Sequence, residues 1–120
     1  MAGTFNFRIE QGTTYERVFR LRDSDGDPVD ITGWGIRMDV RETRSKSATL
    51  VIELTENNGN IQITDAANGE FVVALDSQET AGLEPTKSAY DIELFDTSTS
   101  PATVIRLLQG TFTVSAEVTG

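Results

Sequence analysis

Four aspartates lie within eight positions of the segment DSDGDPVDITGW, which starts at Asp23, and they are the first candidates for chemistry. Closely spaced carboxylates are suitable ligands for Ca²⁺. A helix–loop–helix calcium loop needs oxygen ligands at positions 1, 3, 5 and 12 and glycine at position 6. Asp23, Asp25 and Asp27 satisfy the first three positions. Position 6 is Pro28, however, and position 12 is Trp34, so the pattern fails at both discriminating positions.

A tight turn between two strands accounts for the same residues. Aspartate accepts bonds from nearby backbone N–H groups, Gly26 permits a positive φ, and Pro28 fixes φ where the next strand begins. The flanking segments FRLR and VDIT have the pattern of strands rather than helices. We therefore predict a turn with no metal and no cofactor; an adventitious weak cation site is the alternative.

The absence of histidine and cysteine removes most other chemistry. Disulfides, thiolate nucleophiles, zinc-finger sites and Ser-His-Asp triads all need one of these residues. The 19 acidic residues can supply a carboxylate pair, but in such number no particular pair stands out. We therefore expect a protein that is not an enzyme, and an acid-pair hydrolase is the weakest alternative.

The net charge of −9 restricts the partners that the chain can bind. An acidic surface repels phosphate backbones, so we expect no nucleic-acid partner. No apolar run approaches the ~18 residues of a membrane span, and the first residues lack the pattern of a secretory signal. We expect no membrane partner and no secretion. Residues 47–120 hold two basic and eleven acidic residues, either as a solvated face or as a surface for a basic partner.

Alternation of apolar and polar residues runs through nearly the whole chain, which is typical of half-buried β-strands. The turn-forming clusters DSDGDP, ENNGN, AANGE and DTSTSP separate the runs. The segment SQETAGLEP predicts a short helical turn between the sheets, capped by Ser77 and ended by Gly82 and Pro85. We predict one all-β domain over residues 1–120, a sandwich or barrel of about seven or eight strands. The inward positions are Phe5-Phe7-Ile9, Ile36-Met38-Val40, Leu50-Ile52-Leu54, Phe71-Val73-Leu75, Tyr90-Ile92-Leu94 and Phe112-Val114-Ala116.

The order of the motifs resembles a known family. RLRDSDGDPVDITGWGIRMDV is followed by ATLVIEL, IQITDAANGEFVVAL, SQETAGL and YDIEL. Together they resemble the immunoglobulin-like N-terminal domain of the phage baseplate upper protein family and small virion-associated proteins of tailed phages. The resemblance covers roughly Phe5 to Val118, and its motifs are turns and core positions. Tyr90 stands where such sandwiches place a tyrosine-corner residue, and a simple core tyrosine fits equally well.

The resemblance implies an immunoglobulin-like antiparallel β-sandwich with one short helical turn. It also implies a non-enzymatic structural protein of the virion, made in the host cytoplasm, in the tail, baseplate or neck. Its partners would be other virion proteins or further copies of itself. The alternatives are a capsid decoration protein and a carbohydrate- or receptor-binding module.

Apolar residues that are out of phase with the core set are the candidates for contact with a partner. Val51, Val72 and Phe95 are predicted to point outward, where an antiparallel sheet normally shows polar side chains to water. Together they could form a contact patch. Single apolar residues are common on protein surfaces, however, and a second sheet may cover them.

Three further residues are candidate contacts. Trp34 is predicted to lie in the core or at its rim, and an exposed interface anchor is the alternative. Arg41 and Arg44, in the segment VRETRSK, belong either to a solvated hairpin loop or to a contact with the acidic region of a neighbouring copy.

Overall fold

Two β-sheets packed face to face make up the fold in the computed structural model, which describes residues 3–118. The large sheet has six strands in the order β1-β9-β8-β4-β5, with β2 also paired to β9, and the small sheet has three in the order β3-β7-β6. Over these residues the strands are β1 Gly3–Thr4, β2 Phe7–Glu10, β3 Tyr15–Arg20, β4 Gly35–Arg41, β5 Leu50–Thr55, β6 Ile61–Asp65, β7 Glu70–Leu75, β8 Lys87–Asp96 and β9 Thr103–Ser115; Ser77–Ala81 forms the helix α1 and Ala66–Asn68 a 3-10 turn.

The strand order is that of an immunoglobulin-like sandwich. The small sheet corresponds to strands B, E and D, and β9, β8, β4 and β5 correspond to G, F, C and the C′ strand of variable-type domains. β1 and β2 run parallel to β9, whereas the other strand pairs are antiparallel. The predicted all-β, immunoglobulin-like fold with a short helical turn is confirmed.

The core between the sheets contains most of the predicted inward side chains, because alternate residues of a strand face the same side. Leu50 and Ala116 are exceptions. Ala116 follows the end of β9 and is exposed. Leu50 is 42% exposed, because a register shift after Val40 pairs Arg41 with Leu50 and leaves Val51 as an extra residue in β5.

The helix α1 carries the chain from the small sheet to the large sheet, as predicted. Its N-cap is Asp76 rather than the predicted Ser77, because Asp76 and Glu79 form a capping box. The Asp76 carboxylate accepts a bond from the Glu79 N–H at 2.7 Å, and the Glu79 carboxylate accepts one from the Asp76 N–H at 2.9 Å.

Within residues 3–118, no helix has the length and apolar character needed to cross a membrane.

Tyr90 fastens the N-terminal segment to the core. Its ring is buried against Phe7, with centroids 4.8 Å apart, and its hydroxyl donates to the backbone carbonyl of Phe5. A tyrosine corner would instead bond to the backbone a few residues upstream, so Tyr90 is a core tyrosine. Gly110 lies close against the Phe5 carbonyl, and a Cβ there would overlap that oxygen. Burial raises the pKa of Tyr90, so its hydroxyl stays protonated as a donor.

We predict that Tyr90→Phe lowers the free energy of unfolding by about 1–2 kcal/mol, because the Phe5 carbonyl loses its donor in a partly buried position. Urea unfolding at neutral pH measures this. Tyr15→Phe is the matched control, since the Tyr15 hydroxyl makes no hydrogen bond within residues 3–118, and it should change the free energy by less than ~0.5 kcal/mol. Equal losses in both variants would contradict the role given to the Tyr90 hydroxyl.

Candidate contact surface

The outward face of the large sheet, called the outer face below, presents its side chains in rows that cross the strands. The first row is apolar and holds Gly35, Phe95 and Val104, which are direct neighbours in the register. The Phe95 ring lies across Gly35, where a Cβ would overlap it, and the Arg37 guanidinium lies 4.8 Å from the ring centroid. Val104 is 45% exposed. Phe95 therefore points outward, as predicted, at the edge of a charged surface.

The second row of the outer face alternates in charge. Glu93 lies between Arg37 and Arg106 in the register. The Arg37 Nε and a Glu93 carboxylate oxygen are 3.0 Å apart, and the Arg106 Nε reaches diagonally to Asp91 at 3.6 Å. The arginine side chains of these pairs are about half exposed to water, so each pair contributes little to stability.

The third row places like charges side by side. Asp39 pairs with Glu53 on one side and with Asp91 on the other. Adjacent like charges on neighbouring strands are unfavourable. Burial raises the pKa of Asp91, Glu93 and Asp39 raise it further, and Arg106 and Arg44 oppose the shift. The ionised carboxylate of Asp91 is therefore less stable in the folded protein than in the unfolded chain.

Arg41 and Arg44 hold the loop between β4 and β5 in place. Arg44 Nη1 donates to the backbone carbonyls of Tyr90 at 3.2 Å and Gly110 at 3.3 Å. Arg41 Nη1 donates to the carbonyl of Ala48 at 2.9 Å. The loop thereby lines one side of a groove of about 560 Å³ on the outer face. Contact of Arg41 and Arg44 with another copy of the chain remains a prediction.

The groove is nearly neutral on a strongly acidic protein. Five of the ten basic residues but only four of the nineteen acidic ones line it. Sequence reasoning missed most of these positions, because alternation shows which residues point outward but not which strands bring them together. The charged residues that line the groove are Arg37, Asp39, Arg41, Arg44, Lys46, Glu53, Asp91, Glu93 and Arg106.

Val51 was predicted to point outward from the sheet, but the structure does not place it on the sheet face. As the extra residue of the β5 bulge it is half-buried and packs against the core. With Leu50, Leu83 and Thr86 it lines a small cavity of about 290 Å³, which shares no lining residue with the groove. Its role as a contact remains a prediction.

The predicted contact residues do not form one patch. Val72 lies on the outward face of the small sheet, opposite Val18, whereas Phe95, Arg41 and Arg44 belong to the outer face of the large one. Trp34 is half-buried and packs against the core, as the core-or-rim interpretation predicts. The fold therefore separates side chains that the sequence pattern alone grouped together.

The aspartate segment forms the predicted turn. One carboxylate oxygen of Asp23 accepts bonds from the N–H groups of Asp25 at 2.9 Å and Asp27 at 3.0 Å, and Gly26 has a φ of 84°. The carboxylates of Asp23, Asp25 and Asp27 have oxygens within 4.8 Å of one another and are exposed. Bonds from the Thr32 hydroxyl and N–H lower the pKa of Asp30.

Comparison with known proteins finds similarity in structure but not in sequence. No family model and no curated protein matches the chain. Among solved structures, the N-terminal domain of phage TP901-1 ORF48 is similar, with a TM-score of 0.59 and 10% identity over 92% of this chain and 85% of that chain. The two share a fold. The Ig1 domain of mouse SynCAM 2 is similar at a TM-score of 0.41 and 12% identity, over 93% of this chain and 92% of that chain.

We predict that calcium removal leaves the stability unchanged, because the aspartate turn is held by its own hydrogen bonds. Excess chelator should shift the Tm by no more than a few degrees in thermal melting. Asp25→Asn serves as a control, since it weakens any cation site, and it should melt alike with and without calcium. A large drop in Tm on chelation would show that a bound ion stabilises the folded state.

We predict that Asp91→Asn gains stability relative to the wild type as the pH rises from about 3 to 7. The raised pKa means that the folded protein binds this proton more tightly, so ionisation above the unfolded pKa destabilises the wild type only. Asp96→Asn is the control, for which the change in relative stability with pH should have the opposite sign. Bonds from the Ser98 side chain and N–H lower the pKa of Asp96. That variant should therefore lose relative stability over the same range, and urea unfolding at both pH values measures each difference.

Proposed function

We propose that the chain is a non-enzymatic structural protein of a tailed-phage virion, in the tail, baseplate or neck, that acts through protein–protein contacts. The shared fold with the N-terminal domain of a phage protein carries the proposal, because it extends over 92% of the chain. The motifs that resemble the baseplate upper protein family point the same way. Its partners are other virion proteins, and it is made in the host cytoplasm.

The chemistry of the outer face supports contact rather than catalysis. Neither histidine nor cysteine is present to act as base or nucleophile. The carboxyl with a raised pKa, Asp91, lies 3.6 Å from Arg106, and Glu93 is paired with Arg37. Each guanidinium that lines the groove has a partner within the chain.

The composition of the outer face suits a protein partner. Aromatic residues and arginine are enriched at interfaces, and apolar anchors surrounded by polar groups contribute most of the binding free energy. Phe95, with Val104 beside it and Arg37 over its ring, has this arrangement. We therefore place the contact on the outer face, with Phe95 as its anchor and the Arg41 and Arg44 loop at its side.

Co-purification with particles tests the function directly. A tagged copy of the chain is expressed during infection by the phage that encodes it, and particles are separated from free protein on a density gradient. The tagged chain should band with intact particles, and immunogold labelling should place it on the tail, baseplate or neck. Label over the capsid would support a decoration protein instead, and recovery in the free fraction alone would contradict a virion role.

We predict that Phe95→Ala weakens incorporation into particles by roughly thirtyfold, since removal of a central contact residue costs ~2 kcal/mol or more. Val72→Asp makes the same test for the outward face of the small sheet. Lys87→Ala, at the other end of β8, is the matched control and should incorporate normally. Thermal melting should show that the variants are folded.

Normal incorporation of the Phe95 variant would contradict a contact on the outer face, and normal incorporation of both variants would show that neither outward face is the contact. Unfolding of the isolated variants would show instead that these side chains belong to the core.

A further inference from the structure

Within residues 3–118, one edge of the large sheet is open along the first part of β9. Strand β8 pairs with Thr103–Arg106 on one side. On the other side no described residue pairs with it, since the described residues of β1 pair with Leu108 and Gln109. The register with β8 shifts at Leu107, so the regular pairing of Thr103–Arg106 with β8 ends there. The segment Thr103–Arg106, called the open edge below, therefore presents backbone N–H and C=O groups that a further strand could pair.

The exposed apolar side chains of the open edge indicate strand pairing rather than docking on a face. Val104 and Ile105 are each 45% exposed. Because they are consecutive in a strand, they point to opposite faces of the sheet. A partner on one face would cover only one of them, whereas a strand alongside β9 would flank both.

The open edge is short, but it has no proline and only one charged side chain to oppose strand addition. Natural edges are interrupted by proline, charged side chains or short length. Here the sequence is Thr-Val-Ile-Arg, three of whose residues are β-branched. Its one charge, Arg106, reaches across the outer face to Asp91 at 3.6 Å. Nothing in the segment repels an approaching strand.

The distribution of charge favours a second copy of the chain as the occupant. With a net charge of −9, two copies repel each other over most of their surfaces. Residues 97–116 contain no acidic residue and one basic residue, although the chain has 19 acidic residues in all. The strands β1 and β2 beside β9 add one acidic residue, Glu10, and one basic residue, Arg8. This side is where two copies can approach without bringing carboxylates together.

We propose that two copies pair antiparallel through their open edges, about a two-fold axis, and join their large sheets into one. A two-fold axis normal to the sheet places one residue opposite itself, either Val104 or Ile105. This pairing is part of the assembly proposed above, and its biological role rests on that proposed function. So short an edge buries a small area, so pairing is weak in dilute solution and strengthens where a particle holds copies close together.

Sedimentation velocity of the purified full chain, from micromolar to near-millimolar concentration, tests the pairing separately from the virion role. The wild type should pass from monomer to dimer. Ile105→Lys should weaken dimerisation about tenfold or more, because it places like charges across the axis. Val18→Lys is the matched control, since Val18 is 41% exposed on β3, and it should dimerise as the wild type does.

Cysteine cross-linking tests the geometry even if Ile105→Lys fails to fold. The chain has no cysteine, so Val104→Cys and Ile105→Cys each supply a single thiol. Directly opposed residues of antiparallel strands have Cα atoms ~4.5–5.5 Å apart, within the range of a disulfide. Under mild oxidation one of the two should form covalent dimers about tenfold faster than Val18→Cys.

Two results would overturn the proposal. The first is a wild type that remains a monomer at every concentration. The second is a dimer that neither cysteine cross-links faster than the Val18 control. Neither result would contradict the proposed virion role, which is tested separately by incorporation into particles.

Discussion

The docking of the N-terminal segment onto β9 is the constraint on which the rest of the structure depends. Phe7 inserts between the sheets, with its ring centroid 4.8 Å from Tyr90 of the large sheet and 6.0 Å from Phe19 of the small one. The Tyr90 hydroxyl and the close approach at Gly110 fix the register of this segment. They also decide which part of β9 is covered and which part is left as an open edge.

Strand β8 connects the core to the outer face. Its inward residues Tyr90, Ile92 and Leu94 are buried, and the alternate positions Asp91, Glu93 and Phe95 supply one member of each outward row. Burial of the inward side stabilises the strand by roughly 1.5–3 kcal/mol for each large apolar side chain. That contribution exceeds the cost of adjacent carboxylates, so the outer face can hold an unfavourable arrangement of charge without loss of the fold.

Local patterns predicted the sandwich, the aspartate turn and the crossing helix, because each depends on neighbours in the sequence. Pairing between strands decided the rest. The bulge that exposes Leu50 and buries part of Val51 depends on the register with β4. Arg44 bonds to carbonyls 46 and 66 residues away. Val72 and Phe95 have the same pattern in the sequence, but the topology places them on opposite faces of the sandwich.

Hydroxyl-radical footprinting of Phe95, in the free protein and in intact particles, tests most directly whether the outer face is the contact surface. Phe71, which is fully buried, gives the background in both states. If the outer face binds another virion protein, oxidation of Phe95 should fall towards that background in particles. Equal oxidation of Phe95 in the free and assembled protein would contradict the account.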